Sequence, residues 1–264
     1  MTSFPDLTLR EKKFLQKLLL KKYREQEGKF LIEGPHLVED ALDSSWIVDF
    51  ILLTPAFLKN SHAQNILKSA RTKKIRVVQT TESFFKKIVD TVTSQEIVAV
   101  VRENRYSPKE FWQRNVHDSF IVALDAVTDP GNLGTIIRAG DWFNMNGILL
   151  GRGTVDLYNP KTLRSAMGSV FHLPVIADVD LEAEIVLAKK SGFTVLAAVA
   201  AEGKTPDKKV LSQKSIVIFG NEAHGIHASL LKMADIQITI PRFGKAESLN
   251  VGISAGIIMG WMRF

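Results

Sequence analysis

The chain has 264 residues and no cysteine, which excludes disulfide frameworks, thiolate zinc sites and cysteine nucleophiles. Hydrophobic residues make up 45% and charged residues 23%, the proportions of a globular chain. Lys and Arg outnumber Asp and Glu by 34 to 28. Residues 1–102 carry 17 basic and 12 acidic side chains (+5), residues 103–264 carry 17 and 16 (+1). A basic first portion suits a polyanionic partner; a merely soluble basic surface accounts for the charge equally well.

The N-terminus, Met1-Thr2-Ser3-Phe4-Pro5-Asp6, lacks the charged-then-apolar pattern of a secretory signal, and no apolar run is long enough to cross a bilayer. A soluble, cytoplasmic protein is expected. Leu15, Leu18 and Leu19 recur at helical spacing with Lys12, Lys13, Lys17, Lys21, Lys22 and Arg24 on the other side, which predicts one amphipathic helix with a basic exposed face. The apolar run Phe30-Leu31-Ile32 is broken by Gly34-Pro35, and a helix is predicted from His36 to Leu42. Strands are predicted at Trp46–Leu53, Ile75–Val78 and Ile97–Val101, giving a small α/β domain over residues 1–102. Residues 103–118 are polar, contain Pro108 and read as a linker.

Residues 119–264 alternate more cleanly. Strands are predicted at Phe120–Leu124, Ile148–Leu150, Leu173–Ile176, Thr194–Val199, Ile216–Phe219 and Ile236–Ile240. Such continuous apolar runs fit a parallel sheet buried on both faces, whose ligand chemistry belongs beyond the strands' C-terminal ends.

Three polar loops fall there. The first, Asp125-Ala126-Val127-Thr128-Asp129-Pro130-Gly131-Asn132, leads into a helix carrying Arg138; Asn132 can cap that helix. Arg138 is either a salt-bridge partner or a phosphate or ribose contact. The second is Gly220-Asn221-Glu222-Ala223-His224-Gly225, where capping of a helix by Asn221 and Glu222 competes with a functional reading. The third is Ile240-Pro241-Arg242-Phe243-Gly244-Lys245-Ala246-Glu247-Ser248-Leu249-Asn250; Leu249 is expected to be buried between Ser248 and Asn250, and Glu247 and Ser248 also suit an ordinary helix start. In the following helix Gly252, Gly256 and Gly260 recur every four residues. Each costs about 1 kcal/mol against alanine, so close core packing or a subunit contact is expected along that face.

No G-x-G-x-x-G follows a strand, and no phosphate-binding G-x-x-x-x-G-K-[ST] is present. His36, His62, His117, His172, His224 and His227 are scattered without metal-ligand spacing, so no metal site is expected.

The three loops, in order, with Asn159-Pro160-Lys161 and Ser165-Ala166-Met167-Gly168 through Leu173-Pro174 between the first two, resemble the SpoU-type (TrmH-like) RNA ribose 2′-O-methyltransferases of the SPOUT superfamily. The resemblance covers residues 119–264. Tyr23-Arg24-Glu25 and Phe30-Leu31-Ile32-Glu33-Gly34 are similar to the L30e-like substrate-binding domain that often precedes such enzymes. The resemblance implies a six-stranded parallel sheet with a deep trefoil knot, and S-adenosylmethionine as cofactor. It places backbone groups around Gly220, Ile240 and Leu249 at the adenine and ribose, with Ala198 nearby. A homodimer through the knot helices, with a site that borrows from both subunits, is implied too.

The implied reaction is transfer of a methyl group to a ribose 2′-hydroxyl of structured RNA, ribosomal RNA ahead of transfer RNA; a non-catalytic RNA-binding or ribosome-assembly factor that kept the fold is the other reading. Arg138 matches the residue proposed in the family as general base, yet a guanidinium stays protonated at neutral pH, so clamping a phosphate or a developing alkoxide is an equal role for it. Asn132, Glu222, Ser248 and Asn250 would orient the ribose and Arg138. Ala223 replaces a usual glycine, Arg242 a common methionine, and Gly252 a frequent small hydroxyl residue.

Overall fold

A computed structural model describes residues 4–89, 91, 93–115, 119–201, 203–205 and 214–263; His117 and the end of the predicted linker lie outside the described residues. The chain forms two compact units, Met1–Asn104 with Tyr158–Phe171, and Arg105–Leu157 with His172–Phe264.

The first unit contains α1 (Leu9–Lys17), α2 (Lys21–Glu27), β1 (Lys29–Glu33), α3 (Pro35–Asp43), β2 (Val48–Leu53), α4 (Ala63–Thr72), β3 (Arg76–Gln79), α5 (Glu82–Phe85) and β4 (Ile97–Arg102). Its sheet runs β1-β4-β2-β3, with β4 antiparallel to both neighbours and β2 parallel to β3. The helix predicted as one element is two. A capping box starts α1, where Thr8 Oγ1 accepts from Glu11 N–H and the Glu11 carboxylate accepts from Thr8 N–H. The break follows from Arg24, which is buried rather than exposed with the lysines: its Nη1 donates to the carbonyls of Leu18 (2.9 Å) and Leu19 (2.8 Å), and so satisfies backbone left open at the turn.

The predicted linker holds α6 (Pro108–Arg114), capped by Ser107 and Glu110. Its Phe111 is buried in the second unit's core, and Trp112 Nε1 donates to Glu184 at 2.5 Å. A polar composition hid one buried aromatic face.

The second unit adds β5 (Phe120–Leu124), α7 (Pro130–Trp142), β6 (Gly147–Gly151), β7 (Val175–Val179), α9 (Leu181–Lys190), β8 (Thr194–Ala198), β9 (Ser215–Phe219), α10 (Ala228–Met233), β10 (Ile236–Ile238) and α11 (Val251–Arg263); α8 (Pro160–Ala166) belongs to the first unit. All six strands are parallel, in the order β10-β8-β9-β5-β6-β7. The strand predicted from Leu173 begins at Val175, because Pro174 has no N–H to give a ladder; its carbonyl still accepts from Ile148 at 2.9 Å. From β5 the chain builds outward through β6 and β7 on one side, and later fills the other side with β9, β8 and β10. The order reverses between β5 and β9, which opens a crevice at their C-terminal ends.

Tyr158–Phe171 lies between strands of the parallel sheet in sequence but packs with the first unit. Tyr158 stacks on Phe30 (centroids 4.3 Å apart, 21° between planes), and Phe171 meets Trp46 edge-on at 5.2 Å. Asn159 caps α8, accepting from Lys161 N–H at 2.9 Å. Gly168 has φ +86°, and a Cβ there would stand 1.8 Å from Asp40 Oδ2, so both backbone and space require glycine.

On α11, Gly252 faces Thr135 and Gly260 faces Phe143, at the start and end of the seam with α7, while a Cβ at Gly256 would meet no atom within 4 Å. Among the described residues no helix is long and apolar enough to cross a membrane.

Candidate active site

The loop after β5 turns through Ala126, at φ 53°, and reaches α7 through Asp129. Asp129, not Asn132, is the cap: its Oδ1 accepts from Asn132 N–H at 2.9 Å, with Pro130 as the first helical residue. This frees the Asn132 side chain to point elsewhere.

It points at Glu222, from the loop after β9. That loop folds back on itself: Asn221 and Gly225 exchange backbone hydrogen bonds of 3.0 and 2.9 Å, and Asn221 Oδ1 accepts from Ala223 and His224 N–H. A Cβ on Gly220 would lie 2.2 Å from the Gly225 carbonyl carbon, so only glycine admits the turn. Asn221 Nδ2 donates to Ala126 O at 2.8 Å and ties the two loops. The helix-capping reading of Asn221 and Glu222 does not hold, since α10 starts later, behind His227.

Glu222 accepts four hydrogen bonds, from Thr128 N–H and Oγ1–H and Asp129 N–H at 3.2 Å each, and from Asn132 Nδ2 at 2.9 Å. Partial burial works against its charge, but donation from the Asn132 amide and the backbone of Thr128 and Asp129 outweighs it, and the pKa lies below the usual glutamate value. With its lone pairs so occupied, the carboxylate orients its neighbours and is a poor proton acceptor. Because a carboxylate only accepts, Asn132 must offer its NH₂ to Glu222 and its Oδ1 the other way. There it receives Asn250 Nδ2 at 2.8 Å. Asn250 Oδ1 in turn caps α11, accepting from Gly252 N–H (2.9 Å) and Ile253 N–H (3.2 Å). One ionised group thus fixes the orientation of two amides, each from a distant segment of the chain.

A cleft of ≈ 760 Å³ is lined by residues of 198–200, 219–225 and 239–251, together with Ser254 and Ile258. It brings together Glu222, Ser248 and Asn250 with Ala198, Gly220, Ile240 and Leu249. Leu249 is 48% exposed rather than buried, since its side chain lines this open space. Arg242 Nη1 turns back to Ala246 O at 3.4 Å. Arg138 does not line the cleft. It is exposed on α7, six residues and so about 9 Å beyond Asn132 along the axis, and its side chain makes no hydrogen bond or ion pair among the described residues. Sequence reasoning passed over Thr128 and Asp129, whose N–H groups hold Glu222; their place directly before the Pro130 helix start was the available signal.

The family model described as the SpoU rRNA Methylase family matches residues 119–260, and one described as the MRM3-like substrate binding domain matches residues 11–99. The chain belongs to the SpoU rRNA methylase family. Within that family it is similar to a protein of Bacillus subtilis (strain 168) named 23S rRNA (guanosine(2553)-2′-O)-methyltransferase RlmP, 36% identical over 248 residues that cover 94% of each chain. Among solved structures it is similar to an AdoMet-bound rRNA methyltransferase from Sinorhizobium meliloti (TM-score 0.84, 29% identity, covering 99% of this chain and 97% of the other). It is similar also to the SpoU methyltransferase AviRb from Streptomyces viridochromogenes in complex with AdoMet (TM-score 0.82, 25% identity, 97% of both chains). The second and third SpoU-type loops line the cleft, and the first is joined to them through Glu222 and Asn250.

Outside it, two of the six histidines are not scattered. His36 and His62 meet at Glu39 in the first unit, a grouping that only the His36-x-x-Glu39 spacing announced.

Proposed function

We propose that this protein transfers a methyl group from S-adenosylmethionine to a ribose 2′-hydroxyl of ribosomal RNA. The observation that carries this reading is the Glu222–Asn132–Asn250 relay at the rim of the cleft, in a chain similar over 94% of its length to a 23S rRNA 2′-O-methyltransferase.

The cleft fits the cofactor. Its volume falls in the range of small-molecule sites, and its walls set apolar side chains, Ala198, Ile240 and uncovered Leu249, beside the backbone of irregular loops. Those walls suit an adenosine and an amino-acid moiety. When bound, the cofactor supplies an electrophilic methyl on a sulfonium, so the protein must align the ribose oxygen and help it shed a weakly acidic proton. Asn132 and Asn250, locked by Glu222, position the sugar, and Ser248 adds a hydroxyl. Glu222 is saturated with donors and stays ionised, so the hydroxyl proton passes to bulk water at the open cleft rather than to this carboxylate. Arg138 remains a cation and stabilises a phosphate or the developing alkoxide.

Because Arg138 stands off its own cleft, it serves the cleft of a second copy. The open position at Gly256 and exposed Ile253 and Trp142 support a homodimer through α7 and α11. The trefoil knot of the second unit, the L30e-like character of the first and a cytoplasmic location belong to the same proposal, and the strand order β10-β8-β9-β5-β6-β7 supports the first of these. The test is ribose-methylation mapping of ribosomal and transfer RNA from cells lacking the protein, followed by restoration with purified protein and cofactor. One restored 2′-O-methyl nucleotide in ribosomal RNA is expected. Unchanged methylation, with no cofactor binding at millimolar concentration, would favour a non-catalytic RNA-binding factor.

A further inference from the structure

We propose that His36, Glu39 and His62 form a divalent-metal site of the zinc class that clips α3 to the start of α4. Pro35 opens α3, and His36 and Glu39 follow one turn apart, on the same side of the helix. His62 is the residue before the first turn of α4, and its own N–H donates to Asn60 Oδ1 at 2.9 Å, which fixes the backbone that presents the ring. Both helices are anchored beneath this corner by buried Leu37, Val38, Ala63 and Ile66.

Within the corner, His62 Nδ1 lies 3.0 and 2.9 Å from the two carboxylate oxygens of Glu39, and His36 Nδ1 lies 4.0 Å from Oε2. The rings stand 4.7 Å apart at 76°, and one donor atom from each residue falls within 4.8 Å of the others. Among the described residues Glu39 pairs with no Lys or Arg; its partners are two imidazoles.

Tetrahedral zinc, at about 2.0–2.2 Å from nitrogen and oxygen donors, holds them about 3.3 Å apart. Reaching that spacing requires the His62–Glu39 contact to open by a few tenths of an ångström and His36 to close by somewhat more. His36 has the freedom to do so, because its side chain is 69% exposed, against 29% and 27% for His62 and Glu39. The cation takes the place of the proton shared between His62 Nδ1 and Glu39. Two nitrogens and one oxygen select a borderline metal over Mg²⁺ or Ca²⁺, which require oxygen sets. Three protein ligands leave one position for water.

The test is titration of the chelator-treated full-length protein with Zn²⁺ by calorimetry, with Co²⁺ as a spectroscopic probe and Mg²⁺ as a control. One ion per chain, tetrahedral-type visible absorption with Co²⁺, and a Zn²⁺-dependent rise in Tm are expected. Glu39→Gln and His62→Ala should each lower zinc affinity at least tenfold and abolish the rise in Tm, while S-adenosylmethionine binding, as the check on folding, stays within twofold. His172→Ala, at an imidazole–carboxylate pair elsewhere, should leave zinc binding unchanged. Absence of stoichiometric binding at tens of micromolar Zn²⁺, or equal binding by parent, Glu39→Gln and His62→Ala, would overturn the assignment.

Discussion

Asn132 and Glu222, 90 residues apart in the chain, are joined by a 2.9 Å hydrogen bond from Nδ2 to Oε1. Glu222→Gln puts an NH₂ group among four donors, so at least one of them loses its acceptor. A buried donor left unpaired costs about 1–3 kcal/mol, and the open setting here places the expected loss at the lower end. Methyl transfer should fall by about tenfold to a hundredfold, with a smaller change in cofactor affinity. Single-turnover methylation and calorimetry measure the two separately.

The same carboxylate gives an acid limb to stability. Its pKa is lowered in the folded protein, so below the ordinary value the unfolded chain binds the extra proton and stability falls as pH falls. The contribution is complete above the unfolded pKa of about 4.3 and is lost as pH drops through the folded value. Thermal unfolding of parent and Glu222→Gln should therefore converge in acid and separate near neutrality. Parallel curves across the whole range would refute this linkage.

Arg138→Ala should lower methylation by about 10²-fold or more, the scale of losing one charge-stabilising donor, while S-adenosylmethionine binding stays within about twofold. Mixing Arg138→Ala with Asn250→Ala protein should restore part of the activity, because one of the two clefts then regains a complete set. If the mixture is as inactive as its parts, Arg138 does not act across a dimer.

Gly168→Ala forces a Cβ into the Asp40 carboxylate at a backbone angle that alanine rarely adopts. A destabilisation of about 1–3 kcal/mol is expected by denaturant unfolding, partly relieved by Asp40→Ala in the same chain.

Lys13, Lys21 and Lys22 are exposed on α1 and α2. If they meet RNA phosphates, neutralising them should flatten the dependence of log affinity on log salt by about 0.7–0.9 per lost contact. Filter binding across a salt series measures this; an unchanged slope would remove these lysines from the interface.

Much of the second unit was legible because its strands are buried on both faces, so that apolar runs such as Phe120–Leu124 and Ile216–Phe219 stand out without periodicity. Loops after those strands could be ranked by their polar content, and Asn132, Glu222 and Asn250 do converge. What escaped depended on single side chains. Arg24 carries the composition of an exposed basic face but satisfies two carbonyls inside. Phe111 makes a polar stretch into core. Leu249 reads as buried by its residue type, yet lines an open cleft, because the segment 239–250 borders that cleft rather than a core. His62 comes to Glu39 across 23 residues by the packing of α4 on α3, which no local pattern encodes.

The excursion of Tyr158–Phe171 out of the parallel sheet means that the polypeptide crosses between the units three times, after Asn104, Leu157 and Phe171. A gene segment ending near codon 104 would therefore not deliver a finished N-terminal module. It would lack the Tyr158 ring that covers Phe30 and the Phe171 ring that meets Trp46, so recombination that swaps first units between such enzymes must also exchange a piece from the middle of the portion that follows.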